Sequence, residues 1–404
     1  MSQRTCEYQR PPDILDKPRA CQFMSEPGAY DRLVEVADVF FCPYHLPFSS
    51  KTQHETYNRS SATHIPSRKE NWNSTDIERF NDDILARIAS ALKNSESCDL
   101  SGVIFPGGFS CTNRELPGVD FSHCRFEGGS LDFSGTKFNG NTTSFSRAIF
   151  NCVDVSFRET FFRSRRVEFY DTIFCCLDVW FVGADFSDSY AAFVNSEFDC
   201  NHIDFHEANF TGGSTFQRSK FSGISTSFSE NQFAGGDFSL AEFGSDETYF
   251  NGAEFLDGYP TFENAKFFGH KLDFSNSAFS TTMSFAASPR KENSELAFGE
   301  LNFNNARFAS RVLFSNRVFL AATSFQNTSF ARAPEFHGCE LHQNTTFPPM
   351  NRFRDTTFSG ASTAYRTLRL AMKQQEAHEA RIRFYEERLN RLEGNPKKKK
   401  WWRG

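Results

Sequence analysis

The sequence predicts an all-β solenoid with four faces in each coil, and three observations lead to this prediction. Phenylalanine supplies 50 of the 404 residues. Between Phe121 and Phe210 it recurs in pairs whose members are five residues apart, and eight such pairs follow one another at intervals of twelve residues. The residues between the pairs are rich in Ser, Gly, Asn and Asp, which favour turns. A fixed short period of this kind is the sequence signature of a repeat structure.

The length of the period indicates which solenoid the chain forms. Repeats built from helical hairpins need more than about 30 residues, and Phe favours strands over helices. Short strands spaced five, seven, five and seven residues apart close one coil of 24 residues. Residues in successive coils then stack at one strand spacing, about 4.8 Å. Four internal columns of Phe follow, and they begin at Phe121, Phe126, Phe133 and Phe138.

A second inward position lies two residues before many of these Phe residues and holds a small side chain. A stacked ring in a narrow tube leaves room for little else beside it. The sequence places alanine at this position seven times, as Ala148, Ala184, Ala208, Ala241, Ala253, Ala265 and Ala306.

The alternation of a small, a polar and a large apolar residue resembles the pentapeptide-repeat proteins. The segments that carry this resemblance include Ala184-Asp185-Phe186, Ala253-Glu254-Phe255 and Ala265-Lys266-Phe267. It covers residues 98–360, but two residues are inserted at alternate faces and Phe stands where Leu is commoner. The resemblance implies a right-handed quadrilateral β-helix, here of about eleven coils. It implies little about function, because members of that family do different things.

Charge is distributed unevenly along the chain. The net charge is −6, but residues 361–404 contain 12 Lys and Arg against 5 Asp and Glu, and the other 360 residues contain 32 against 45. Such asymmetry is typical of proteins that use one end to bind a partner. The sequence has no run of 18 apolar residues and no amino-terminal signal pattern. Its eleven Cys are therefore interpreted as reduced thiols of a cytoplasmic protein.

Residues 1–48 contain a candidate metal site. Cys42-Pro43-Tyr44-His45 offers two ligands on one short loop, which reduces the entropy lost on binding. Cys6 and Cys21 can complete a Cys₃His set for Zn²⁺. The alternative is a set of separate buried side chains, since free Cys often packs as a small apolar residue. The spacing also resembles an amino-terminal Cys-Glu-Tyr to Cys-x-x-His-Leu-Pro segment of some longer bacterial pentapeptide-repeat proteins, which favours zinc.

Residues 49–97 are interpreted as a linker and a capping helix. Residues 49–70 are polar and rich in helix breakers, whereas residues 75–93 place apolar side chains on one helical face. Thr75 is the predicted N-cap, and Glu78 completes the predicted capping box. Such a helix would cover the open end of the first coil, where unpaired strand edges need protection.

Residues 361–404 are predicted to form helices that cover the last coil, followed by a basic tail. Tyr365-Arg366-x-Leu368 and Glu379-Ala380-x₃-Phe384-Tyr385 resemble the region after the repeat in longer bacterial pentapeptide-repeat proteins, where a membrane region follows. The tail suits an anionic membrane surface, because cations bind lipid phosphate and indoles prefer the interface. Its residues of this kind are Lys397, Lys398, Lys399, Lys400, Trp401 and Trp402. A solubilising tail is the alternative, and a nucleic-acid contact is less favoured.

Outward positions of the repeat hold further candidates. Cys152, Cys176 and Cys200 lie 24 residues apart and should stack, with Cys175 beside them. A metal or redox ladder is one interpretation, and a position that tolerates a small side chain is the favoured one. Three neighbouring residues could bind a metal or transfer a proton, and these are His202, His206 and Glu207.

Two other outward features concern binding. Arg163, Arg165 and Arg166 form a basic spot that either contacts an anion or is simply solvated. Residues 286–297 interrupt the spacing, so that Phe298 follows Phe285 by 13 positions, and they predict a protruding loop.

The sequence predicts no catalytic residue and no enzyme, since it contains no phosphate-binding loop, nucleophile elbow or zinc-protease motif. The first hypothesis is a rigid scaffold that presents its acidic faces and its ends to a protein partner, at the cytoplasmic membrane surface. A second is an inhibitor or regulator of a topoisomerase, because some pentapeptide-repeat proteins imitate duplex DNA; the basic end argues against it. A third is the cytosolic sensing domain of a membrane protein.

Overall fold

The computed structural model describes residues 5–10, 19–25, 30–36, 38–48, 69–288, 297–332, 334–336, 339, 342 and 344–346. Between Cys98 and Thr346 the described residues form a parallel β-solenoid whose coils have four faces, as the sequence predicts. Before the solenoid lie two antiparallel strand pairs, Gln9–Arg10 with Arg19–Ala20 and Val34–Val36 with Val39–Phe41. Short 3₁₀ turns cover Gln22–Ser25, Tyr30–Arg32 and Lys69–Asn71, and one α-helix covers Ser74–Asn94.

Each face of the solenoid is a stack of short parallel strands, one from each coil. Face 1 contains Cys98–Asp99, Val119–Asp120, Thr142–Ser144, Arg166–Glu168, Tyr190–Ala192, Met283–Ser284 and Val312–Leu313. Face 2 contains Ile104–Phe105, Arg125–Glu127, Ile149–Asn151, Ile173–Cys175, Glu197–Asp199, Lys220–Ser222, Glu242–Phe243, Lys266–Phe267, Ala297–Phe298 and Val318–Phe319.

The other two faces are built in the same way. Face 3 contains Phe109–Ser110, Leu131–Asp132, Asp154–Ser156, Asp178–Trp180, His202–Asp204, Ser225–Ser227, Glu247–Tyr249, Lys271–Asp273, Glu300–Asn302 and Thr323–Ser324. Face 4 contains Glu115–Leu116, Lys137–Phe138, Phe161–Phe162, Glu254–Asp257, Ala278–Phe279, Arg307–Phe308 and Ser329–Phe330. Two long strands, Asn209–Thr215 and Gln232–Asp237, run from face 4 into face 1. The ten strands of face 3 mark nine full turns in the described residues.

Four columns of stacked Phe rings fill the interior, which confirms the prediction. Phe169 stacks on Phe145 and Phe193 with ring centroids 4.9 and 4.6 Å apart and ring planes within 7°. Neighbouring columns meet edge to face, as Phe157 and Phe169 do with centroids 5.9 Å apart and planes at 90°. These rings are fully buried, so the interior is a packed aromatic core rather than a channel.

The coil length changes along the rod, although the columns continue. Glu197 pairs with Lys220 and Lys220 with Glu242, so coils of 24 residues give way to coils of 23 and 22. The strict spacing ends after Phe210 for this reason. The two long strands absorb the missing residues through register shifts. Gly213 allows the sharp bend there, because its φ of +96° strains other residues.

The small inward position accepts hydroxyls as well as alanine. The seven predicted alanines are fully buried, but other coils carry Ser or Thr at the same position. Thr160 Oγ1 donates to the Phe133 carbonyl at 2.8 Å, and Thr172 Oγ1 donates to the Phe145 carbonyl at 2.9 Å. Each hydroxyl thus bonds the preceding coil, which removes the cost of burying it. Periodicity in apolar residues did not reveal these bonds.

Arg317 occupies this same inward position and is fully buried. Its guanidinium donates to the carbonyls of Phe285, Ala265 and Phe262 at 2.6, 2.7 and 3.0 Å. Ala265 and Phe262 lie two coils earlier, so the side chain spans the coil in which Phe298 follows Phe285 by 13 positions. Burial lowers the pKa of Arg317 to about 9, and the carbonyls compensate for the lost hydration.

The helix Ser74–Asn94 packs on the first coils, but its predicted start is wrong. Asn73 is the N-cap: its side chain accepts from the Asp76 backbone N–H at 3.0 Å, and the Asp76 carboxylate accepts from the Asn73 N–H at 3.2 Å. The predicted capping box of Thr75 and Glu78 has the same pattern two residues later. The sequence alone therefore does not show which of the two boxes starts the helix. No helix in the described part of the chain has the length and apolar character that crossing a membrane requires.

Candidate metal centre

Cys6, Cys21, Cys42 and His45 converge on one buried point, as the sequence predicts. Their sulfur and nitrogen atoms all lie within 4.8 Å of one another. His45 Nδ1 is 3.3 Å from the Sγ atoms of Cys21 and Cys42 and 3.7 Å from Cys6 Sγ. Cys21 Sγ and Cys42 Sγ are 3.7 Å apart. All four side chains are at most 5% exposed.

Local structure explains why these residues meet. The antiparallel pair Gln9–Arg10 and Arg19–Ala20 places Cys6 and Cys21 at the same end of a short ribbon. Cys42 follows the strand Val39–Phe41 and begins a turn in which the His45 N–H donates to the Cys42 carbonyl at 3.1 Å. The Cys42 N–H in turn donates to Cys6 Sγ at 3.3 Å.

The separations suit a tetrahedral ion. Metal–sulfur bonds of about 2.3 Å at tetrahedral angles place two sulfurs roughly 3.8 Å apart, close to the 3.7 Å between Cys21 and Cys42. Three thiols and one imidazole leave no fifth protein donor within the group. The arrangement could therefore hold a metal ion with all its positions filled by protein, which is typical of structural rather than catalytic sites.

Contacts outside the four-residue cluster orient the His45 imidazole. His45 Nε2 lies 3.2 Å from the Ser101 carbonyl, so Nε2–H donates there and the lone pair of Nδ1 points into the cluster. The Tyr8 ring stacks on the imidazole at 3.7 Å between centroids. Because Ser101 belongs to the first coil, this bond joins the candidate metal centre to the solenoid.

Electrostatics favour a cation at this point. Burial raises the pKa of the Cys42 thiol far above its usual range. The pKa of Cys6 is lowered because Cys21 and Cys42 donate S–H hydrogen bonds to its sulfur. Three sulfurs this close cannot all ionise without a positive charge between them. A bound divalent ion would supply that charge.

Lys69 joins the metal centre to the helix and the first coil, and sequence reasoning missed it. The side chain is fully buried, and its Nζ donates to the Tyr44 carbonyl at 2.8 Å and to the Ile104 carbonyl. Nζ also lies 4.5 Å from the centre of the Phe80 ring. Burial lowers the pKa of Lys69 well below its usual value. A lysine in a predicted linker gave no signal of this role.

The outward thiols stack only in part. Cys176 Sγ and Cys200 Sγ are 3.2 Å apart, whereas Cys152 Sγ lies 3.7 Å from the Asp154 carbonyl oxygen. Cys175 is exposed beside them. After the strands of face 2, the described residues thus contain one close thiol pair rather than a ladder of three.

The remaining predicted candidates lie on the surface. His206 and Glu207 come within 4.8 Å of Glu230, but all three are at least partly exposed. His202 turns away from them, because its Nδ1 is 2.8 Å from Ser225 Oγ.

Two of the three arginines of the predicted basic spot form ion pairs within the rod. Arg163 pairs with Asp185 at 3.5 Å and also with Asp188, and Arg166 pairs with Glu168 at 3.2 Å. Most of the predicted loop 286–297 lies outside the described residues, as do the predicted carboxy-terminal helices and the basic tail of residues 361–404.

Comparison of the sequence with protein-family models gives no match, and comparison with curated proteins gives none either.

Proposed function

We propose that the protein is a non-enzymatic scaffold of the pentapeptide-repeat type, with a structural Zn²⁺ bound by Cys6, Cys21, Cys42 and His45. The closed and buried Cys₃His set supports zinc, since Zn²⁺ prefers four thiolate or imidazole ligands in a tetrahedron. The four-faced solenoid with a small residue two positions before the stacked Phe supports the repeat type.

One surface feature carries the proposal of an interaction function. An apolar row, defined by Val153, Leu177 and Ile224, follows the corner between faces 2 and 3. These side chains are 44, 54 and 52% exposed, and Asn201 lies in the coil between Leu177 and Ile224. Large apolar side chains that line up at a surface are typical of binding sites for other proteins. The interior offers no comparable site, because stacked Phe fills it.

Face 3 adds negative charge directly beside this row. Asp154 and Asp178 lie opposite each other on neighbouring parallel strands, and like charges in register destabilise a sheet. Asp132 and Asp204 lie on the same face, in the other outward-facing row, which is two residues further along each strand. A protein partner with basic and apolar side chains would relieve this repulsion and cover the row.

The partner test uses two exposed leucines. We expect Leu177→Glu to abolish capture of the partner from cell extract, because it places a charge in the apolar row. Leu320→Glu is the matched control, since Leu320 is 66% exposed on another part of the rod and should leave capture unchanged. Capture should also weaken as salt rises, because the acidic face is screened. Equal capture by both variants would exclude this row as the binding surface.

A second candidate function is favoured by the same acidic face. Repeated carboxylates on a rod could imitate the phosphates of duplex DNA and occupy a topoisomerase. A supercoiling assay separates the two functions: inhibition that persists in Leu177→Glu but is lost in Asp154→Asn with Asp178→Asn would support DNA mimicry over the apolar row.

A separate proposal concerns the tail, which lies outside the described residues. If Lys397 to Trp402 bind an anionic bilayer, removal of residues 395–404 takes away five positive charges and both terminal indoles. We then expect binding to anionic vesicles to fall sharply and to weaken with salt in the full chain. Tryptophan emission should shift to the blue when such vesicles are added to the full chain, and not for the shortened one. Equal binding to neutral vesicles would contradict this.

A further inference from the structure

The close pair of Cys176 and Cys200 stands apart from the other thiols of the solenoid. Cys175 is in register with Asp199, so Cys176 and Cys200 are equivalent positions of neighbouring coils. Neighbouring parallel strands lie about 4.8 Å apart, within the range of Cα separations that a disulfide spans. The chain between the two thiols is one coil of 24 residues. A bond between them would therefore join two coils without moving the backbone far.

The two sulfurs are close enough to form a disulfide once an oxidant acts on one of them. Their Sγ atoms are 3.2 Å apart, which places one S–H between the two sulfurs. That hydrogen bond from Cys176 lowers the pKa of Cys200, so the pair can supply one thiolate. Cys200 is 4% exposed, while Cys176 is only partly buried and opens to solvent. Cys152 Sγ lies 3.7 Å from the Asp154 carbonyl oxygen, and Cys200 Sγ also lies 3.6 Å from the Phe174 carbonyl oxygen.

We propose that Cys176 and Cys200 form an oxidation site at which a peroxide converts the two thiols into a disulfide between coils. The Cys200 thiolate attacks one peroxide oxygen, so the S–O bond forms as the O–O bond breaks and hydroxide leaves to become water. Cys176 sulfur then attacks the resulting sulfenic sulfur, the S–S bond forms, and the second oxygen leaves as water. Two thiols lose two electrons, and one peroxide gains them.

The test uses the full chain, reduced and then treated with stoichiometric hydrogen peroxide. Free thiols are blocked with an alkylating reagent, and the chain is cut by trypsin and a Glu-specific protease. No Lys or Arg occurs between Arg166 and Arg218, while Glu197 separates the two thiols. We expect a linked pair of peptides, one with Cys176 and one with Cys200, lighter by two hydrogens. Alkylation of both thiols should be lost together and return after reduction with dithiothreitol.

Three comparisons make the result specific. Cys200→Ser should abolish the linked pair and leave Cys176 free for alkylation, whereas Cys152→Ser should keep the pair. In urea the preference of Cys200 for Cys176 over Cys175 should disappear. Cys175 should then link to Cys200 as readily as Cys176 does. The proposal is overturned if peroxide leaves both thiols of the native chain free. It is also overturned if the native chain forms only a Cys175 link or links between chains.

Discussion

Zinc should be lost when the Cys42 thiol is replaced by a hydroxyl. The purified protein is expected to contain about one zinc per chain, and Cys42→Ser should contain none, because the remaining three ligands leave the ion open to water and exchange. Co²⁺ put in place of zinc should show the absorption of a tetrahedral ion with thiolate ligands in the unaltered chain only. Metal analysis and these spectra are the measurements.

The same substitution should loosen the amino-terminal segment and spare the rod. His45 Nε2 reaches the Ser101 carbonyl only while the imidazole is held in place, so amide exchange in residues 19–48 should become faster, and exchange in the coils should not. Cys152→Ser is the matched control, since Cys152 lies outside the cluster. A protein free of zinc under reducing, chelator-free conditions would leave these four side chains as an ordinary buried group.

Phe169→Ala should cost about 3–5 kcal/mol of unfolding free energy. The Phe169 ring is fully buried between Phe145 and Phe193 and meets Phe157 and Phe181 edge to face. Removing it opens a cavity shared by three coils and interrupts one column. Urea unfolding followed by circular dichroism measures the loss.

An exposed phenylalanine provides the control for this cavity. Phe268 is 56% exposed, so Phe268→Ala removes the same atoms without opening a cavity and should cost less than about 1 kcal/mol. Because the coils of a solenoid pack mainly on their nearest neighbours, unfolding can occur in parts, and the Phe169→Ala chain should unfold earliest around its altered coil. Equal losses from the two variants would contradict the four-column interior.

The sequence was sufficient to predict the four columns of stacked Phe rings, because one residue type at a fixed period indicates a stacked interior directly. Phe121 to Phe210 predict the coil length, and the ladders follow from it. Cys42 and His45 were recognisable because metal ligands on a short loop have a characteristic spacing. Their convergence with Cys6 and Cys21 then required the ribbon of Gln9–Arg10 and Arg19–Ala20, whose two-residue strands carry no periodic signal.

Buried cations escaped prediction for a related reason. Lys69 and Arg317 are both fully buried, although Lys and Arg almost never are. Each donates to main-chain carbonyls, and carbonyls are invisible in a pattern of side chains. The Thr172 hydroxyl was missed in the same way, since its partner is the Phe145 carbonyl.

The contact between the metal centre and the first coil has a consequence for how the rod folds. The Ile104 N–H donates to the Tyr44 carbonyl at 3.0 Å, so the amino-terminal segment gives the first coil a hydrogen-bonded neighbour. Starting a solenoid is the costly step, because the first coil to form closes a loop before any neighbour stabilises it. If a bound metal fixes this segment, the segment supplies a ready edge, and we expect nucleation there. Coils would then add in the order in which the ribosome delivers them.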